Sequence, residues 1–122
     1  MDMSKIINVS DIPKAGPYSH AVATGNFMYL SGQVGMVSNR TTSLEEQFGN
    51  AIAKVKRILE VGGFTLQNVV KVTVYLSKSE NFQKMNELYS RYFVTDPPAR
   101  TTIVAGFANN DILVEIDVIA SK

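Results

Sequence analysis

The sequence predicts an α+β domain, a mixed β-sheet with two helices packed on one face, in the order β-β-β-α-β-α-β-β. Three observations carry this reading. Asn68 to Leu76 and Ile112 to Ala120 alternate with period two, as strands do when one face is buried. Two other stretches repeat apolar residues at helical spacing. Gly25-Asn26 separates two short β-prone runs, a hairpin signal. At 122 residues the chain is long enough for one packed core, so a single domain spanning 1–122 is expected.

Lys5 to Asn8 predicts a short edge strand, and the Pro13, Gly16 and Pro17 segment an irregular connection. Tyr18 to Thr24 and Phe27 to Ser31 read as the hairpin strands, followed by a polar loop from Val37 to Thr42. Ser43 and Glu46 stand at capping-box spacing. Leu44, Phe48, Ala51, Ile52, Val55 and Leu59 then form a helical stripe that Gly62-Gly63 ends. Gln47, Asn50, Lys54 and Arg57 fall on the opposite, solvated face. In the strand from Asn68, Val70, Val72, Val74 and Leu76 share one face, and Val69, Lys71, Thr73 and Tyr75 the other. Ser79 is the candidate cap of a second helix with a core stripe of Phe82, Met85, Leu88, Tyr89, Tyr92 and Phe93. Pro97-Pro98 stops it, and the short strand Thr102 to Ala105 follows. Asn109-Asn110-Asp111 makes a turn into the last strand, where Ile112, Val114, Ile116 and Val118 share one face and Glu115 and Asp117 the other. That second sheet face is too apolar for open water and too polar for a core, which suggests cover by other subunits.

Composition narrows the chemistry. With 12 basic and 11 acidic side chains, the net charge of +1 offers no electrostatic footprint for nucleic acid. No cysteine is present, so disulfides, thiolate nucleophiles and zinc-thiolate sites are excluded. The one histidine, His20, cannot build a multi-histidine metal site and is read as a partly buried strand residue. No stretch has the length of a membrane span, and Met1 to Lys5 lacks a signal-peptide pattern, so a soluble, cytoplasmic protein is expected.

Arg100 stands on a stiff approach, after two prolines and at the mouth of a strand. Its planar, permanently charged fork suits either a structural ion pair or a bound carboxylate or phosphate. Glu115, on a covered sheet face, suits acid–base work or a cross-sheet pair with Lys71. Tyr18, fixed by Gly16-Pro17, could donate a hydrogen bond or pack. Ser31-Gly32 could offer backbone groups to a ligand or end a strand. Asn86 lies beside the apolar stripe of the second helix, open to an interface or to water.

Taken together, Ala15-Gly16-Pro17-Tyr18-Ser19, Ser31-Gly32-Gln33, Pro98-Ala99-Arg100-Thr101 and Val114-Glu115-Ile116 closely resemble the RidA (YjgF) family of reactive-intermediate imine deaminases, from about residue 4 to the C-terminus. The resemblance implies a fold like the bacterial chorismate mutase domain. It also implies a homotrimer with a central barrel, helices outside and a site in each cleft between subunits. Substrates would be 2-imino acids, such as 2-iminopropanoate and 2-iminobutanoate, hydrolysed to 2-oxo acids and ammonia without metal or cofactor. By the same resemblance Arg100 would bind the substrate carboxylate and Glu115 would orient the attacking water. Tyr18 would line the pocket, Ser31 and Gly32 would hold water and ligand, and Asn86 would stand near the cleft. Thr102 replaces the cysteine many members carry there, and the turn at residues 107–111 lacks their usual Leu-Pro. The alternative reading is a binding or regulatory module of the same fold that holds small carboxylates without turnover; RNA cleavage fits the neutral charge poorly.

Overall fold

The structure, a computed structural model, describes residues 4–122; Met1, Asp2 and Met3 of the N-terminal stretch lie outside the described residues. Among the described residues nine strands and α-helices follow one another, with short 3-10 turns at Leu66–Asn68 and Ser79–Asn81: β1 (Lys5–Ile7), β2 (Ala21–Thr24), β3 (Phe27–Leu30), β4 (Gln33–Val34), α1 (Leu44–Val61), β5 (Val69–Leu76), α2 (Phe82–Ser90), β6 (Ala99–Val104) and β7 (Val114–Ser121). The strands form one mixed sheet in the order β1-β2-β3-β7-β5-β6, with β4 also paired to β7 and β5–β6 the parallel pair. The mixed sheet and two helices agree with the sequence reading, and β4 is an addition to it.

The core forms between the helices and one sheet face. Val72, Val74 and Leu76 of β5 and Val114, Ile116, Val118 and Ala120 of β7 point inward. They meet Phe48, Ala51, Ile52, Val55, Ile58 and Leu59 of α1 and Met85 and Leu88 of α2. Burying each large apolar side chain contributes about 1.5–3 kcal/mol, against the entropy of ordering the chain. The outer face keeps Phe27 and Tyr29, stacked at 6.2 Å, together with Val70 and Ile103, all exposed.

Several local expectations are corrected. A β-bulge between Val69 and Lys71 shifts the register, so Val69 is buried and Val70 is exposed. Ser43 caps α1 through a 3.1 Å bond from the Glu46 amide, but the Glu46 carboxylate turns to Arg40 instead of closing the box. The polar face of α1 is solvated at Arg57, which stays exposed beside Asp11, but not along its whole length. Gln47 is buried and donates to the carbonyls of Thr42 (3.2 Å) and Asp111 (2.9 Å) while accepting from the Leu113 amide (2.9 Å). Asn50 and Lys54 donate to the carbonyls of Gly35 and Val34 at 3.0 and 2.8 Å. The partial burial of Lys54 lowers its pKa.

The hairpin starts at Ala21 rather than Tyr18, and within its Gly25-Asn26 turn Gly25 alone takes positive φ. The N-cap position of α2 falls at Asn81, not Ser79, and the helix ends at Ser90, well before Pro97-Pro98. Phe93 folds back on Tyr89, with centroids 4.6 Å apart, and its amide bonds the Tyr89 carbonyl. Phe82 and Tyr92 of the expected core stripe lie at the surface. β6 begins at Ala99 and β7 at Val114.

Candidate functional site

The strand ladder opens at Ser31-Gly32. Tyr29 pairs with Ile119, which in unbroken register would place Gln33 opposite Glu115; Gln33 instead pairs with Ile116 and Val34 with Glu115. This one-residue slip leaves Ser31-Gly32 without a partner on β7, beside the Glu115 side chain. A cleft of about 310 Å³ opens there, lined by Tyr18, Ser31, Gly32 and Glu115. Four of the six site residues expected from sequence therefore meet in one place.

Each is fixed by its surroundings. The Tyr18 amide donates to the Gly16 carbonyl at 3.1 Å, and its hydroxyl accepts from the Ala15 amide at 3.1 Å, so the ring is held by its own turn. Ser31 donates through Oγ to the Ser19 carbonyl (2.7 Å) and through its amide to the His20 carbonyl (2.9 Å). Those two bonds sew the Tyr18 loop to the end of β3. Glu115 lies directly against Gly32: a Cβ added there would collide with Oε2 and come within 2.8 Å of Cδ. Glycine lets the carboxylate stand there, because it occupies the space a side chain would take. Burial first, and the Asp117 charge second, raise the Glu115 pKa, making it a stronger proton acceptor than a solvated glutamate. Lys71 does not pair with it; its Nζ donates to Thr101 Oγ1 on β6.

His20 is fully buried, deeper than the sequence reading placed it, and ties the loop from behind. Its Nδ1 accepts from the Val9 amide at 2.9 Å, and its own amide donates to Asn8 Oδ1 at 3.2 Å. Burial, then the Lys14 charge, lowers its pKa, so it stands as a neutral structural acceptor.

Arg100 and Asn86 are elsewhere. In the β5–β6 register Arg100 pairs with Val72, a core-facing residue, whereas Glu115 pairs with Tyr75 on the open face. The two groups thus project from opposite faces of one sheet. Arg100 rests on aromatic rings of α2, its guanidinium carbon 4.7 Å from the Tyr89 centroid and 5.9 Å from that of Phe82. Its Nη1 lies 3.9 Å from Met85 Sδ. Among the described residues no carboxylate pairs with it. The cation–π stack holds the fork without satisfying its donors.

On the same two elements, α2 and β6, Asn86 Oδ1, Tyr89 Oη and Thr102 Oγ1 are buried without hydrogen-bond partners. Such atoms are costly unless a ligand or partner completes them. Thr102 and Tyr89 were not singled out as site residues from sequence, although Thr102, two residues along β6 from Arg100, must share its face. Two further clefts, of about 350 Å³ beside Leu66 and Asp96 and about 500 Å³ beside Arg40 and Lys78, are lined by none of these unpartnered atoms.

Among the described residues no group of three or more His, Asp or Glu side chains could hold a metal ion. Among the described residues no helix is long and apolar enough to cross a membrane.

Fold and clefts together define a small α+β protein that presents two incomplete polar sites, one anionic and one cationic, on opposite faces of its sheet. The family model described as endoribonuclease L-PSP matches residues 9–122. A RutC family protein of Saccharolobus solfataricus is 41% identical, covering 98% of this chain and 99% of its own. Reactive Intermediate Deaminase A, chloroplastic, of Arabidopsis thaliana is 30% identical, over 96% of this chain and 65% of its own. The crystal structure of yeast Mmf1 superposes with a TM-score of 0.84 at 31% identity, covering 97% of this chain and 99% of its own. This chain belongs to the endoribonuclease L-PSP family, the group of RidA, YjgF and RutC proteins.

Proposed function

We propose that the protein is a 2-imino acid deaminase, working as a homotrimer whose sites form between subunits. The observation that carries this reading is the Arg100 guanidinium, seated on aromatic rings of α2 with no carboxylate paired to it among the described residues, on the sheet face opposite Glu115. The two groups face away from each other within one chain, which supports a second copy supplying the Arg100 side to the Glu115 cleft. The half-apolar outer face of the sheet supports such cover, and the deaminase name of the Arabidopsis relative supports the reaction class.

Arg100 of one subunit would clamp the substrate carboxylate bidentately. In the facing cleft Glu115 would hold a water and accept its proton as the oxygen adds to the C=N carbon. Glu115 would return that proton to the imine nitrogen, giving a tetrahedral carbinolamine whose hydroxyl proton then passes to the nitrogen. Collapse of that intermediate expels ammonia and leaves the 2-oxo acid. Tyr18 and the Ser31-Gly32 backbone border the water, and Asn86 stands on the arginine side. The rate gain would come from fixed geometry and a water held beside a base of raised proton affinity.

The experiment is a coupled assay in which a serine/threonine dehydratase releases the enamine and 2-oxo acid formation is followed. Wild type accelerates the reaction, whereas Arg100→Ala does not while still sedimenting as the wild-type oligomer. Equal rates for the two proteins would defeat the proposal. Carboxylate binding without ammonia release would instead establish the non-catalytic module.

A further inference from the structure

The open sheet face carries a second carboxylate that the proposed reaction does not use. Asp117 follows Glu115 by two residues on β7 and shares its face, about 6.6 Å along the strand. Its Oδ2 accepts a 3.0 Å hydrogen bond from the Tyr75 hydroxyl. Tyr75 is paired in register with Glu115, while Asp117 is paired with Thr73. The phenol therefore reaches diagonally across the ladder, from the position opposite Glu115 to Asp117.

The other groups facing this region are accounted for. Lys71, on the same face of β5, gives its Nζ to Thr101. Thr101 and Ile103 of β6 and Tyr29 of β3 complete the neighbouring strands, and Tyr18 faces Glu115 from its loop. Among the described residues no cation forms an ion pair with either carboxylate. Within one chain, then, no cation pairs with Asp117, and the Tyr75 phenol holds it in place on the face it shares with Glu115.

We propose that Tyr75 and Asp117 are a positioning pair for Glu115: Tyr75 anchors Asp117, and the Asp117 carboxylate repels Glu115 toward the Gly32 cleft. This rests on the reading of Glu115 as the base. Glu115 has its proton affinity raised by Asp117 after burial. Tyr75 has its pKa raised first by the bond to Asp117, so it remains a protonated donor where that bond is needed. The Gly32 side supplies the opposing wall, since nothing larger than hydrogen stands between that backbone and the Glu115 carboxylate.

The test uses the assembled, full-length protein with Asp117→Asn and Tyr75→Phe. Asn keeps an oxygen that can accept from Tyr75 and removes the charge; Phe removes the anchor and keeps the charge. Two readouts are followed against pH: the carbon-13 carboxyl resonance of Glu115, assigned by its loss in Glu115→Gln, and kcat/KM in the coupled assay. In Asp117→Asn the Glu115 midpoint and the acid limb of kcat/KM move together to lower pH, and kcat at pH 8 falls by up to about tenfold. Tyr75→Phe moves both in the same direction by less. An unchanged Glu115 midpoint in both variants overturns the proposal, and should Asp117→Asn fail to fold, an unchanged midpoint in Tyr75→Phe does so alone. A moved midpoint with a stationary acid limb upholds the pair's action on Glu115 and refutes Glu115 as the base.

Discussion

Gly32→Ala separates stability from activity in a way the packing makes quantitative. The added Cβ would lie 2.8 Å from Glu115 Cδ and 3.0 Å from Cγ, and closer still to Oε2, where ordinary contact begins at 3.4 Å. Cδ must therefore retreat by about 0.6 Å, and the carboxylate beyond it by more. Everything the methyl meets belongs to one flexible side chain, and the backbone at Gly32 is not in the left-handed region. The fold absorbs the change by rotating Glu115, at about 0.5–1.5 kcal/mol for an off-rotamer torsion. Catalysis cannot absorb it, because a misplacement near 1 Å costs about 100-fold. Gly32→Ala should keep its melting temperature within a few degrees of wild type and lose about two orders of magnitude in kcat/KM in the coupled assay. Activity within threefold of wild type would show that the carboxylate need not stand where Gly32 lets it. A large fall in melting temperature would show that the space belongs to the backbone and not to the base.

Gly35→Ala should do the reverse. Its Cβ would strike the Gln47 carbonyl oxygen on α1 and approach the Gln47 carbonyl carbon to 2.7 Å, so thermal unfolding should report a loss of about 2–4 kcal/mol. Gln47→Leu leaves the Leu113 amide and the Thr42 and Asp111 carbonyls without their buried partner, and chemical denaturation should show about 2–4 kcal/mol lost. His20 has a lowered folded pKa, so the unfolded chain binds its proton first. The stability it contributes is complete above about pH 6.5 and is lost as pH falls from there through the folded value. His20→Asn retains an acceptor for the Val9 amide, and denaturation series between pH 7.5 and 5 should show its pH slope flattened by at most about 1.4 kcal/mol per pH unit relative to wild type.

The residue types of the site were legible in the sequence, and their placement was not. Turn chemistry and strand alternation make Tyr18, Ser31, Gly32 and Glu115 candidates and the family resemblance selects them, but the slip that leaves Ser31-Gly32 unpaired beside the Glu115 side chain is a matter of pairing between segments over eighty residues apart. Arg100 shows the same limit. Its alternation places it with Thr102, yet only the parallel pairing with Val72 turns both toward α2 and away from Glu115. Gln47 was misread because helical periodicity sees one helix. Its partners, Asp111 and Leu113, arrive from 64 and 66 residues away and convert a polar face into a buried junction. The bulge at Val69 similarly reverses a face that strict period two assigns to Val70. Apolar pattern and capping chemistry are local and were readable; register, which decides what faces what, is not.

The place of β7 has a consequence for how this protein comes into being. The strand joins β3, β4 and β5, and so stitches the N-terminal hairpin to the βαβ half. It is synthesised after every strand it joins. Until residue 121 has left the ribosome, two half-sheets wait with apolar faces open and their β7-facing edges unpaired. Such intermediates are prone to aggregate, and long-range pairing slows folding. The nascent chain should therefore remain a client for chaperones until its final strand emerges, and truncation within residues 114–121 should leave an insoluble product.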